Sequence, residues 1–61
     1  MKVLAKTTIK KTDVTIQKRL HGFYVEWTGP TTQGVAGPFS SLKAANEIFS
    51  ATTTRILKGY E

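Results

Sequence analysis

The sequence has no cysteine, a single histidine and only four acidic residues among 61 positions. Without cysteine, disulfides and thiolate zinc sites are excluded, which argues against a disulfide-stapled secreted scaffold. No stretch approaches the roughly 18–20 apolar residues of a membrane span, and Lys6 interrupts the apolar start before a signal-peptide core can form. We therefore expect a cytoplasmic protein with no metal, no cofactor and no membrane association.

The short chain limits the size of any hydrophobic core. A chain of this length buries only about 60% of the surface that it exposes when unfolded, so its stability is marginal. Its 39% of hydrophobic residues is nevertheless more than a disordered chain carries. We expect one small domain over residues 1–61, stabilised by an apolar core or by a second copy of the chain.

Positive charge is concentrated in the first third of the chain. Residues 1–20 carry five lysines and one arginine against a single acid, Asp13, whereas residues 21–61 carry three basic and three acidic residues. A basic segment on a neutral body is typical of a surface that binds polyanions. It is also typical of an edge strand that lysines protect against aggregation, and the sequence leaves both interpretations open.

Alternation of apolar and polar residues predicts three or four antiparallel strands. They cover residues 2–10, 14–20, 23–28 and 34–38. The third strand has the clearest pattern, because Phe23, Val25 and Trp27 alternate with residues of the opposite face.

Turn-forming residues separate the first three strands. Lys11–Asp13 is the predicted first turn, because Asp favours the start of a turn. His21-Gly22 is the predicted second turn, because Gly adopts a positive φ at low cost. In the strand between them, Val14, Ile16 and Leu20 are expected to share the apolar face.

A helix is predicted to follow the last strand, over residues 41–58. Ser40 or Ser41 can cap its start. Its apolar face is formed by residues spaced three and four apart, namely Leu42, Ala45, Ile48, Phe49, Thr52 and Ile56. Because three consecutive threonines are poor helix formers, an end near Ala51 with an extended tail is the alternative. The predicted fold is α+β, an antiparallel meander with one C-terminal helix packed on one face.

The candidate binding surface comprises the strands of residues 2–20 and the sheet face that the helix leaves uncovered, with Lys18 expected on the apolar side of its strand near an edge. Basic side chains there would neutralise phosphates and release counterions, while Gln17 and Tyr24 would add hydrogen bonds or stacking. The candidate nucleic-acid-binding residues are Lys6, Lys10, Lys11, Gln17, Lys18, Arg19 and Tyr24. For Tyr24, packing against a cross-strand neighbour is the alternative interpretation.

No pattern in the sequence indicates catalysis. His21 beside a glycine is typical of a turn, and Glu26 and Glu47 fall on a strand and a helix, so they have no reason to converge. No Gly-x-x-x-x-Gly-Lys phosphate loop is present. We expect no enzymatic activity and no small-molecule substrate.

Residues 21–49, about half the chain, resemble a known DNA-binding module. Gly22-Phe23-Tyr24-Val25-Glu26-Trp27 is similar to the second strand, and Gly37-Pro38-Phe39-Ser40-Ser41-Leu42-Lys43-Ala44-Ala45 to the helix entry, of one domain family. It is the three-stranded-sheet-plus-helix domain of plant ethylene-response factors, shared by the arm-binding N-terminal domains of integrases. The resemblance implies that the outer sheet face contacts DNA, with Lys18 and Arg19 near the basic residues of the family's first strand.

The chain departs from that family at Thr28, Gln33 and Val35, where the family carries Arg or Trp, and in its additional basic strand at residues 2–10. We therefore expect a small accessory protein, of the kind encoded by phages or mobile elements, that binds DNA rather than RNA mostly by electrostatics.

The alternative is a homodimer formed through a sheet edge or the open face. A small core and the apolar tail of Ile56-Leu57 with Tyr60 favour it.

Overall fold

The computed structural model is a four-stranded antiparallel sheet covered on one face by a helix. The structure describes residues 2–58. The strands are β1 (Lys2–Ile9), β2 (Thr12–Arg19), β3 (Gly22–Thr28) and β4 (Gln33–Phe39), in the spatial order β1-β2-β3-β4. The helix, α1, spans Leu42–Leu57. The predicted α+β meander with a C-terminal helix is confirmed.

The core lies between α1 and the inner face of the sheet. Its buried centre consists of Val14, Ile16, Val25, Ala45 and Ile56. Partly buried apolar residues surround it: Ala5, Ile9, Phe23, Trp27, Phe39, Ile48 and Phe49. The register between β2 and β3 explains the centre, since it sets apolar residues of the two strands directly opposite each other on one face.

Ser41 caps the N-terminus of α1, and the last turn of the helix packs into the core through Ile56. Ser41 has extended backbone angles, and its Oγ accepts a hydrogen bond from the Ala44 N–H at 3.2 Å. At the other end Ile56 is 7% exposed. Burying such a side chain contributes about 1.5–3 kcal/mol, which outweighs the weak helix propensity of the threonines before it. The longer of the two predicted helices is therefore observed, while Tyr60 of the predicted tail lies outside the described residues.

The first turn differs from the predicted one. It consists of Lys10 and Lys11, whose φ angles are 51° and 67°, rather than Lys11–Asp13. Ile9 and Thr12 already pair across the two strands. Two residues with positive φ between paired strands are typical of a type I′ turn, whose twist matches that of the strands.

Leu20 also lies in a turn, because β2 ends one residue earlier than predicted. It is 92% exposed and does not join the apolar face. Gly22, with a φ of 141°, opens β3, and a Cβ there would lie 2.7 Å from the carbonyl oxygen of Phe39. The glycine predicted for this hairpin is therefore required both by the backbone conformation and by the close approach of β4.

The only helix within residues 2–58 is α1, which has 16 residues. It is too short and too polar to span a membrane.

Candidate nucleic-acid interface

The sheet face opposite α1 is lined by alternate residues of the four strands, and we call it the open face. Its members include Val3, Lys6, Thr8, Asp13, Thr15, Gln17, Arg19, Tyr24, Glu26, Thr28, Gln33 and Val35. In the register, Gln17 is opposite Tyr24 and Thr15 is opposite both Glu26 and Lys6. The long polar side chains of β2 and β3 are therefore close enough to interact across the strands.

Gln17 is at the centre of a hydrogen-bond network on the open face. Its amide oxygen accepts from Arg19 Nε at 3.0 Å and from Arg19 Nη2 at 2.6 Å. Its Nε2 donates to Thr15 Oγ1 at 3.0 Å and to Glu26 Oε1. These four bonds use the full capacity of a glutamine amide, and the residue is only 4% exposed. Gln17 therefore positions Arg19. Because all of its hydrogen-bonding groups are used within the protein, Gln17 has none left for the predicted contact with a ligand.

Arg19 is held over Tyr24. The centre of its guanidinium lies 4.7 Å from the centroid of the Tyr24 ring, and Nη2 is 3.7 Å from Glu26 Oε1. The ring also abuts β4, since a Cβ at Gly37 would lie 3.0 Å from Tyr24 Cδ2. Tyr24 thus packs against neighbouring strands, in agreement with the alternative interpretation, and the Arg19 guanidinium lies over its ring.

The charges of the open face are balanced. Lys6 and Arg19 are its cations, and Asp13 and Glu26 are its acids. Asp13 also accepts a hydrogen bond from the hydroxyl of Thr8, its register partner, at 2.7 Å. The excess positive charge of the first third therefore lies elsewhere than on this face.

The remaining lysines of the first third lie at the two ends of the β1–β2 hairpin. Lys10 and Lys11 form the turn at one end, and Lys2 is opposite Lys18 at the other. Lys18 is on the same side of β2 as the core, and its Nζ lies 5.7 Å from the centroid of the Phe23 ring. The seven predicted site residues therefore do not share one surface. They are divided between the open face, the first turn and the helix side of β2.

The outer edge of β1 corresponds to the lysine-protected edge strand that the sequence offers as an alternative interpretation. Within residues 2–58 it pairs with no other strand, and a register irregularity between Val3 and Ala5 makes room for Leu4. Val3 and Leu4 are both exposed. Lys2 and Lys6 flank these two apolar residues, as is usual for protected edge strands.

Two further features bear on ligands. An open depression at the β3–β4 end is lined by Glu26, Trp27, Thr28, Gln33, Gly34 and Val35. In the described part of the chain, no three acidic or histidine side chains are grouped as a metal ion would need.

Comparison with known proteins leaves the family open. No family model, no curated protein and no solved structure matches this chain. The resemblance to the domain of ethylene-response factors and integrases stays a prediction. β1, which lies outside the residues that carry this resemblance, pairs with β2 along almost its full length.

Proposed function

We propose that this protein binds nucleic acid, DNA in preference to RNA, through the cations of the β1–β2 hairpin, its five lysines and Arg19. One observation carries the proposal. All five lysines between residues 2 and 19 are exposed, and within residues 2–58 none of them forms an ion pair with a carboxylate. Unpaired, solvated lysines release the counterions of phosphates when they bind, and that release supplies most of the affinity for DNA that does not depend on sequence.

The dimensions of the hairpin support a duplex as the partner. Strands of eight residues are roughly 26 Å long at about 3.3 Å per residue, and each strand of B-DNA carries about seven phosphates over that length at roughly 3.4 Å per phosphate. Cations lie at both ends and near the middle of this hairpin, at Lys2, Lys6, Lys10, Lys11 and Lys18. They can therefore contact several phosphates along one binding site.

Arg19 adds a group that is already oriented in the free protein. Gln17 and Tyr24 hold its guanidinium in place, so less side-chain entropy is lost when it meets a phosphate. The amide oxygen of Gln17 accepts from Nε and Nη2 of Arg19. The N–H groups of Nη1 are therefore left to donate to a ligand.

The test is the salt dependence of binding to a labelled 20-base-pair duplex of random sequence, followed by fluorescence anisotropy. For four to six phosphate contacts, log Kd should change with log salt with a slope of about 4 to 5, so affinity falls at least about 100-fold between 50 and 200 mM salt. A variant with Lys6, Lys10, Lys11 and Lys18 changed to Gln should lose most of this slope.

The control is the helix variant Lys43→Gln/Lys58→Gln, which removes two charges from exposed positions outside the hairpin. Its affinity should stay within about threefold of the wild type, because the lost charges act only through the screened field of the whole protein. Absence of wild-type binding at 50 mM salt, or equal binding by the hairpin variant, would contradict the proposal.

A homodimer is the second candidate, and the unpaired β1 edge favours it. Pairing of two such edges would cover Val3 and Leu4, but it would also bring Lys2 and Lys6 of both copies together. Ile56, one of the tail residues that favour a homodimer in the sequence, is buried within the core. Light scattering from micromolar to millimolar concentration tests this candidate, and a monomer throughout that range would contradict it.

A further inference from the structure

The β1–β2 turn holds lysines in a backbone conformation that disfavours them. Among residues 2–58, Lys10 and Lys11 are the only non-glycine residues with a positive φ. In this region the Cβ of an L-residue crowds the following carbonyl oxygen. The pairs that two-residue turns of this kind prefer are Asn-Gly, Asp-Gly and Gly-Gly, so two lysines are an unfavourable choice for the turn itself.

No contact within residues 2–58 compensates for this choice. Both side chains are exposed, and the described part of the chain offers neither of them a hydrogen bond or an ion pair. Protection of the β1 edge does not explain them either, because Lys2 and Lys6 lie on that strand and the turn lies beyond its paired region. Residues held in strained conformations without internal partners point to a function at that position.

We propose that the Lys10–Lys11 turn is a discrete phosphate-binding site of the hairpin, which supplies two of its roughly four to six phosphate contacts. This inference rests on the proposed binding of nucleic acid and identifies the turn as one defined site within the hairpin. The two Cα atoms are adjacent and thus about 3.8 Å apart, and each lysine has a flexible stem that ends in a compact charge. The pair can therefore reach neighbouring phosphates of one strand.

The nearest acid does not oppose such a ligand at the turn. Asp13, which accepts a hydrogen bond from Thr8, is the only carboxylate of the hairpin, so the two lysines of the turn outnumber it and the charge there stays positive. The backbone strain at the turn lowers the stability of the fold, whereas the two lysine charges determine how strongly the turn attracts phosphates. Stability and binding should consequently respond in opposite directions to substitutions at these two positions.

The deciding variant is Lys10→Asn/Lys11→Gly, which relieves the strain and removes both charges. Its melting temperature should rise by about 4 °C or more, the shift expected for a gain near 1 kcal/mol in a domain of this size. Its affinity for the random duplex at 50 mM salt should fall by about tenfold or more, and the salt slope should decrease by about 1.8, the value for two phosphate contacts.

Two matched variants separate position from charge. Lys43→Gln/Lys58→Gln has the same net charge as the Asn-Gly variant and should keep the wild-type slope. Lys10→Gln/Lys11→Gln keeps the left-handed strain and should lose affinity like the Asn-Gly variant, which secures the test if the latter folds poorly.

Failure of this inference differs from failure of the proposed function. Steep, salt-sensitive binding by the wild type together with equal binding by the Asn-Gly variant would overturn the role of the turn alone. Equal losses in the turn and helix variants would overturn it as well, because the charge would then act without regard to position. No binding by the wild type would overturn both proposals.

Discussion

The amide oxygen of Gln17 accepts hydrogen bonds from both Nε and Nη2 of Arg19, at 3.0 and 2.6 Å. This contact fixes the plane of the guanidinium above the Tyr24 ring. The side chains that Gln17 binds also cover it, which makes it buried on a face that the helix leaves open. Because a charged group takes part, these bonds are stronger than those between neutral partners.

Gln17→Ala is therefore expected to lower the free energy of unfolding by about 1–2 kcal/mol, since Thr15, Arg19 and Glu26 all lose a partner while remaining near solvent. Urea denaturation measures the change. Thr28→Ala, an exposed position on the same face, should change it by less than about 0.5 kcal/mol. Equal stability of the Gln17 variant and the wild type would show that the network contributes nothing net.

The helix cap offers a pair of adjacent serines with different roles. Ser41→Ala removes the acceptor of the Ala44 N–H and should cost about 0.5–2 kcal/mol. Ser40→Ala should have little effect, because Ser40 is exposed and precedes the cap. Thermal unfolding followed by circular dichroism distinguishes them, and a larger loss at Ser40 would place the cap one residue earlier.

Ser41→Asp should restore or exceed the wild-type stability. The first turn of α1 contains no acidic residue, and a carboxylate at the cap would both accept the Ala44 N–H and interact favourably with the helix dipole, by about 0.3–1 kcal/mol. Because the dipole contribution is screened by ions, the gain should shrink when the melt is repeated at high salt. A loss of stability as large as that of Ser41→Ala would contradict this prediction.

Gly34 lies against the indole of Trp27. A Cβ at this position would be 2.5 Å from Trp27 Cζ2, so Gly34→Ala forces the ring to move and should destabilise the protein by about 1–3 kcal/mol. A shift of the tryptophan emission maximum should accompany the loss, because Trp27 is the only tryptophan of the chain. Val35→Ala, at an exposed neighbouring position, is the control for strand propensity and should leave the emission unchanged.

Periodicity predicted the order of the elements because each strand buries one face only. Val14, Ile16 and Val25 recur at every second residue and form the centre of the core, as alternation predicts for a sheet covered on one side. The same reasoning placed Gln17 on the solvent face. It could not foresee that neighbouring side chains bury it there, since cross-strand contacts depend on a register that a single sequence does not reveal.

The turns were the least predictable part. Lys10 and Lys11 are not typical turn residues. Asp13 is one, so the sequence predicts the turn around it, although Asp13 belongs to β2. Leu20 fits the alternation of β2 but lies beyond its last paired residue, Arg19. For the candidate site, the sequence predicts basic residues on the first two strands, but it does not show that Lys10 and Lys11 form the turn between them.

The end of α1 can be tested with two neighbouring residues that differ in burial. Ile56 is 7% exposed and Leu57 is 62% exposed. Ile56→Ala should cost about 2–4 kcal/mol, because it removes apolar contacts and leaves a cavity, whereas Leu57→Ala should cost less than about 0.5 kcal/mol. Both residues lie in the last turn of the helix, so alanine changes helix propensity only slightly at either position.

Denaturant titrations of both variants provide the measurement. In so small a domain a loss of this size is a large fraction of the total stability, and Ile56→Ala should be partly unfolded at 37 °C. Equally small effects at the two positions would mean that the chain leaves the core after Ala51. The three threonines would then end the helix, as their propensity alone favours.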